Sequence, residues 1–206
     1  MKPGLRERKR ESTWHSIWQV AMKLFAERGY NHVTIEEIAD ACVISPRTIF
    51  RYFGTKEDVL FAGTDARRTK LLHAIEAQRS DASAFEALRG GCRLLAEDYL
   101  PDLELMRDRA RIVAGAPSLQ PRNAGLPQQW DHDVADVLKG SGRAGGLSDL
   151  ELRLVVGAAM TALRICIDEW IVTGHDLLEL LDTAFASLSR GLATEPSASR
   201  RRTRSR

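Results

Sequence analysis

The chain has 206 residues, 44% of them hydrophobic and 28% charged, with a formal net charge of +2. That is enough apolar material for one large domain or two small ones, and it weighs against a disordered chain. Residues 1–56 carry ten Lys/Arg against six Asp/Glu, residues 57–193 fifteen against twenty-one, and residues 194–206 five against one. A basic head and tail on an acidic body suits nucleic-acid binding at the head, although a solvated surface can divide its charge in the same way.

Taken in chain order, Trp14, Ile17, Ala21, Leu24 and Phe25 recur at helical spacing over Glu11–Arg28, and Gly29 is placed to stop that helix. Thr34 followed by Glu37 is a capping-box pattern, so a second, short helix is expected from Thr34. Ser45-Pro46 then signals a third, Ser as cap and Pro at the first helical position, running to about Phe53. Gly54-Thr55 breaks it, and a fourth helix should run from Thr55 to about Gln78. Further helices are expected at 83–98, 102–115, 127–139, 149–173 and 176–192, with Pro101, Pro117, Pro121, Gly140–Gly146 and Gly174 between them. No segment alternates as a strand would. The expectation is an all-α chain of about nine helices. It divides into an N-terminal three-helix helix-turn-helix unit (1–56), a helical body (57–193), to which the family resemblance described below assigns ligand binding and dimerisation, and a disordered basic tail (194–206).

Several chemistries find no support. Cys42, Cys92 and Cys166 are scattered and odd in number, so neither a zinc site nor a disulfide framework is expected. The Asp131-His132-Asp133 triplet stands without further ligand groups, and no metal is expected there. No nucleophile elbow, phosphate-cradling glycine loop or metal-ligand spacing marks an enzyme, so no catalytic residue and no cofactor are expected. The apolar stretch Leu154–Leu163 is interrupted by Arg164 and too short to span a bilayer. The N-terminus lacks a signal-peptide pattern, which gives a cytoplasmic expectation.

The third helix carries the most specific signal. In SPRTIFRYF, Ile49 and Phe53 form an inward pair. Ser45, Pro46, Arg47, Thr48, Phe50 and Arg51 combine guanidinium, hydroxyl and aromatic groups around the outward side near the N-terminus. Such a helix fits the major groove, where Arg can read guanine O6 and N7 with two hydrogen bonds. The same composition also describes an amphipathic core helix with a solvated basic face.

Residues 11–61 resemble the DNA-binding domain of the TetR (tetracycline repressor) family. The resemblance is carried by Ile17, Val20-Ala21, Leu24-Phe25, Gly29-Tyr30, Thr34, Ile38-Ala39, Ala41, Ser45-Pro46-Arg47-Thr48, Phe50, Tyr52-Phe53, Lys56-Glu57 and Leu60. It implies double-stranded operator DNA as partner, homodimerisation through the last two long helices, and a small-molecule effector. It also implies that Thr34 caps the second helix and touches a phosphate, that Arg47 and Thr48 read bases, and that Tyr52 and Lys56 bind phosphate. Two positions depart from the family pattern. Phe50 replaces the usual Tyr and loses its hydroxyl. Val43 replaces the usual Gly; if that position has positive φ, the strain is of order 1–3 kcal/mol, unless the turn takes another geometry.

In the body, Ser148–Gly174 is apolar nearly all round, and Leu177, Leu178, Leu180, Leu181, Phe185 and Leu188 continue the pattern. Ala158, Ala162, Ile165, Leu177, Leu181, Phe185 and Leu188 are the expected dimer residues; a buried hairpin within a monomer is the alternative. Met106, Arg109, Trp130, Arg164 and Trp170 are candidate ligand contacts, though Met106 and Trp170 would also suit a core. Arg164 is spaced to pair with Asp168. Residues 103–122 and 159–170 also resemble TetR-type regulators with a mycofactocin-regulator-like C-terminal domain, through Met106, Arg109, Pro117, Leu119, Arg122, Ala162-Leu163-Arg164 and Trp170. That resemblance implies a hydrophobic or acyl-CoA-like effector. The functional expectation is a ligand-responsive homodimeric repressor, with a constitutive repressor or activator, or an all-α enzyme, as alternatives. The tail arginines Arg200–Arg202, Arg204 and Arg206 are read as a solubilising end rather than a phosphate contact.

Overall fold

A computed structural model of the chain describes residues 4–191, so the expected basic tail lies outside the described residues. Among the described residues there are ten α-helices and no strand. The first four are α1 (Leu5–Arg28), α2 (Ile35–Ala41), α3 (Pro46–Tyr52) and α4 (Lys56–Leu60). The other six are α5 (Thr64–Glu76), α6 (Ala84–Tyr99), α7 (Leu103–Ala114), α8 (Gln120–Gly140), α9 (Asp149–Thr173) and α10 (Leu177–Arg190). Among the described residues no helix is long and apolar enough to cross a membrane.

The one extra helix arises at the expected fourth helix, which is broken into α4 and α5. Phe61 turns into the core at 4% exposure, and Gly63 takes φ 81°, a left-handed conformation open to glycine at little cost. The chain then restarts as α5 at Thr64. Helix α1 begins six residues earlier than Glu11, and α8 begins at Gln120 rather than at residue 127, with Pro121 tolerated in its first turn.

The ends are set by side chains. Thr34, Ser83 and Ser148 each close a reciprocal capping box with Glu37, Glu86 and Glu151, in which the hydroxyl accepts from the glutamate N–H and the carboxylate accepts from the cap N–H. Those hydrogen bonds hold all three carboxyls below their ordinary value. The cap of α10 is Asp176, whose carboxylate accepts from the N–H groups of Leu178 and Glu179 at 2.8 and 3.0 Å.

Two apolar cores result. The upper one joins Ile17, Phe25, Ile38, Ile49, Phe53 and Leu60 of the head to Ile112, Val113, Ala116 and Leu119 from α7 and the turn after it. The lower one joins α5, α6 and α8 to α9 and α10 through Leu71, Leu88, Leu95, Leu138, Leu163, Trp170 and Phe185, among others. Each such side chain stabilises the fold by about 1.5–3 kcal/mol relative to exposure. Helix α5 packs tightly on α6 at Gly91: a Cβ there would stand 2.4 Å from Ile75 Cγ1 and 3.2 Å from the Ile75 backbone nitrogen. The head core therefore does not end at residue 56; Val59, Leu60, Phe61 and the end of α7 complete it.

Candidate nucleic-acid interface and ligand cavity

Helix α3 stands on the surface of the head with Ile49 fully buried beneath it. Ser45 starts it: its hydroxyl accepts from the Thr48 N–H at 3.2 Å and shares a 2.9 Å hydrogen bond with the Thr48 hydroxyl. Arg47 is exposed, and no hydrogen bond or ion pair engages it among the described residues. Phe50 is 51% exposed. The Arg51 guanidinium lies 5.3 Å from the centre of the half-buried Tyr52 ring. Pro46 occupies the first helical position, where its missing N–H costs nothing. Arg47, Thr48 and Phe50 thus share an edge anchored through Ile49.

The turn before α3 resolves the Val43 question. Ile44 N–H donates to Ala39 O and Val43 N–H donates to Asp40 O, both at 3.0 Å. This paired closure requires a left-handed residue at position 43, and Val43 adopts it with φ 56°. The side chain is 90% exposed, so packing returns nothing for the strain. Val43→Gly is expected to stabilise the chain by about 1 kcal/mol, the relief of strain less the extra entropy of an unfolded glycine. A raised urea midpoint at unchanged slope is the expected reading; a lowered midpoint contradicts it.

Thr34 and Lys56 are occupied within the head. The Thr34 hydroxyl accepts from Glu37 N–H at 3.2 Å and donates to the Glu37 carboxylate at 3.4 Å, while Arg28 ties that carboxylate to the end of α1. Lys56 Nζ donates to Tyr30 O and Val33 O, each at 2.9 Å, and sits 4.1 Å from the centre of the Tyr30 ring. Burial lowers its pKa, with Glu57 opposing. An ammonium has three donors; two go to these carbonyls, and the Tyr30 ring lies against the same group. The main work of Lys56 in this structure is to pin α4 to the turn between α1 and α2, which its position in the sequence did not reveal.

The ligand candidates separate. A half-open cavity of about 340 Å³ lies between α6, α7 and α9, lined by Tyr99, Met106, Arg109, Val113, Ile167, Asp168 and Ile171, among others. Met106 and Arg109 meet there. Trp170 is buried and stands edge-on to Tyr99 with ring centres 6.5 Å apart, behind the lining. Trp130 packs on the body core instead, and Arg164 turns away, donating to Thr161 at 2.7 Å and lying 3.7 Å from Asp131. Among the described residues Arg164 forms its ion pair with Asp131 rather than with Asp168, although its charge still acts on the Asp168 carboxyl. Asp133 pairs with Arg68, and His132 lies 3.6 Å from Asp136. Tyr99, Val113, Ile167 and Ile171 were missed because nothing in the sequence distinguishes a lining residue from a core one.

The dimer candidates also separate. Leu177, Leu181 and Phe185 are buried to 2% exposure or less in the protomer's own lower core, so they have no surface to offer a second chain. The reason is the strongly one-sided apolar stripe of α10, which packs inward; Phe185 meets Phe85 at 5.5 Å. The apolar surface left outside lies along α9: Leu150, Leu154, Ile165 and Val172 are each more than 60% exposed, with Ala158 between them. A groove of about 530 Å³ between α9 and α10 is lined by Leu154, Gly157, Ala158, Ala162, Ile165 and Leu188, with others.

Comparison with known proteins covers both halves of the chain. Residues 17–62 match the family model for bacterial regulatory proteins of the tetR family, and residues 77–193 match the model for the MftR C-terminal domain. The HTH-type transcriptional regulator TcmR of Streptomyces glaucescens is 29% identical over 206 residues, covering 97% of this chain and 91% of that one. The putative mycofactocin biosynthesis transcriptional regulator MftR of Mycobacterium tuberculosis is 28% identical over 189 residues, covering 90% and 93%. Among solved structures, the fatty acid degradation regulator FadR from Bacillus halodurans shares the fold with a TM-score of 0.64 at 20% identity, over 95% of this chain and 100% of that one. Thermus thermophilus FadR, solved in complex with lauroyl-CoA, shares it with a TM-score of 0.55 at 24% identity, over 90% and 97%.

Proposed function

This chain belongs to the TetR family of bacterial regulatory proteins, and from that premise we propose that it is a homodimeric repressor released from its operator by a small apolar effector. It is a DNA-binding transcriptional regulator; the dimer, the effector and the residue roles are the parts proposed. Arg47 reads a base, Thr48 and Ser45 line the same edge, and Phe50 packs on a thymine methyl or sugar. Arg51, Tyr52 and Lys56 approach phosphates and set the register. Two heads are held at successive major grooves by pairing of the exposed α9 face across a two-fold axis.

The observation that carries the effector reading is that α7 belongs to both halves. Its Met106 and Arg109 line the cavity, and Ile112 and Val113 a few residues later form the floor of the head core. The Arg109 guanidinium also stacks on Phe61, 5.1 Å from the ring centre, where α4 ends. An effector that fits the cavity better when α7 shifts moves the head with it. Only that difference in affinity between the two states can release DNA. The lauroyl-CoA held by the Thermus thermophilus relative supports an effector with an apolar chain.

The test is selection of duplexes from a random pool by the purified chain, followed by anisotropy titration of the selected site with and without a fractionated small-molecule extract. A two-fold symmetric site and a fraction that weakens its binding are expected. A chain that selects no site, or a site that no fraction weakens, contradicts the reading.

A further inference from the structure

The cavity between α6, α7 and α9 has one chemical peculiarity. Its walls are apolar at Met106, Val113, Ile167 and Ile171, yet Arg109 brings a guanidinium to them. The Arg109 Nε is buried and has no hydrogen-bond partner among the described residues. No ion pair with a carboxylate engages it among the described residues, and its guanidinium lies 5.1 Å from the centre of the Phe61 ring. Burial draws its pKa down, and neighbouring Arg67 adds to that while Tyr99 opposes it. Arg67 itself stacks on Tyr99 at 4.5 Å and is paired with Asp98, as is Lys70. Asp168 also lines the cavity, but no ion pair joins it to Arg109 among the described residues; burial raises its carboxyl, and the charge of Arg164 opposes that. A desolvated cation without a counter-charge is costly, and the cost is recovered when an anion arrives.

We propose that the cavity takes a monoanionic amphiphile, a carboxylate whose head pairs with Arg109 and whose apolar body lies against Met106, Val113, Ile167 and Ile171. One charge is specified because Arg109 brings one guanidinium to the lining, while Arg67 and Lys70 stand outside it around Asp98. The planar fork of Arg suits a carboxylate with two parallel hydrogen bonds. A volume of about 340 Å³ holds a molecule of modest size rather than a large conjugate. The assignment rests on the reading of this cavity as the effector site, and it names the chemistry of that effector.

The experiment titrates the full chain, without DNA, with octanoate, decanoate, dodecanoate and 2-naphthoate, each against its methyl ester, by calorimetry. At least one acid is expected to bind, with its ester about ten- to hundred-fold weaker, the loss of one charge-assisted hydrogen-bonded pair. Arg109→Gln is expected to erase that preference and Arg109→Lys to keep part of it. An ester that binds as well as its acid, a preference that survives Arg109→Gln, or failure of all four acids overturns the proposal. Should Arg109→Gln not fold, the acid-to-ester ratio of the unaltered chain decides alone. Anisotropy on the operator complex separates the two readings: an acid that binds through Arg109 without releasing DNA overturns the effector function and leaves the anion site standing.

Discussion

Ile165→Asp is expected to convert the protein to monomers and to weaken operator binding about a hundred-fold or more. Ile165 lies on the outer face of α9 at 61% exposure and on the wall of the groove shared with α10. A carboxylate there does not disturb the protomer, because exposed substitutions change stability by no more than about 0.5 kcal/mol. Across a two-fold axis the same substitution appears twice on facing surfaces, bringing like charges into a desolvated contact. Operator affinity then falls because the second head no longer binds as part of the same molecule; such linkage contributes about 10²–10⁴ in affinity. Light scattering after size exclusion reads the mass, circular dichroism confirms an intact helical protomer, and anisotropy reads the affinity. A variant that remains a dimer at micromolar concentration places the interface elsewhere.

Arg47→Ala is expected to cost about 1–3 kcal/mol on the preferred site and to flatten the preference at one base pair in each half-site. The side chain is exposed, stands in the first turn of α3 and is not engaged within the head, so its removal leaves the fold alone. Lys56 behaves differently: its two 2.9 Å hydrogen bonds to Tyr30 O and Val33 O make it part of the scaffold. Selection from a random pool distinguishes the base-reading role of Arg47 from a phosphate contact. If Arg47 touches only phosphate, the selected sequence stays the same while affinity and salt slope fall together.

The head was legible in the sequence because its signals are local. The Thr34–Glu37 box, the Ser45-Pro46 start and the Ile49 anchor are each decided within a few residues, and the structure has all three. The split of the expected fourth helix was not legible, because a single glycine at position 63 only becomes a break when Phe61 is drawn into a core built from distant residues. The two further capping boxes at Ser83 and Ser148 carry the same local pattern and could have been read. Gly91 could not, since its meaning depends on Ile75 of a neighbouring helix. The body was the harder half for the same reason. Leu177, Leu181 and Phe185 are as apolar as any interface residue, and only the packing of α10 against its own protomer shows which side they face. The ligand contacts divided likewise: Met106 and Arg109 meet in one cavity, whereas Trp130 and Arg164 serve other neighbours.

The end of α7 reaching into the head core has a consequence for descent rather than for mechanism. Ile112, Val113, Ala116 and Leu119 are sensor-side residues in sequence but reader-side residues in space. A lineage that exchanged one sensor for another by recombination near residue 56 would leave the reader with an unfitted floor, and each new sensor would bring a floor shaped for a different reader. Such an exchange would have to be followed by refitting of that floor. Changes of effector would accumulate by drift in the cavity walls at Met106, Ile167 and Ile171, which the head does not touch, more readily than by wholesale replacement of the body.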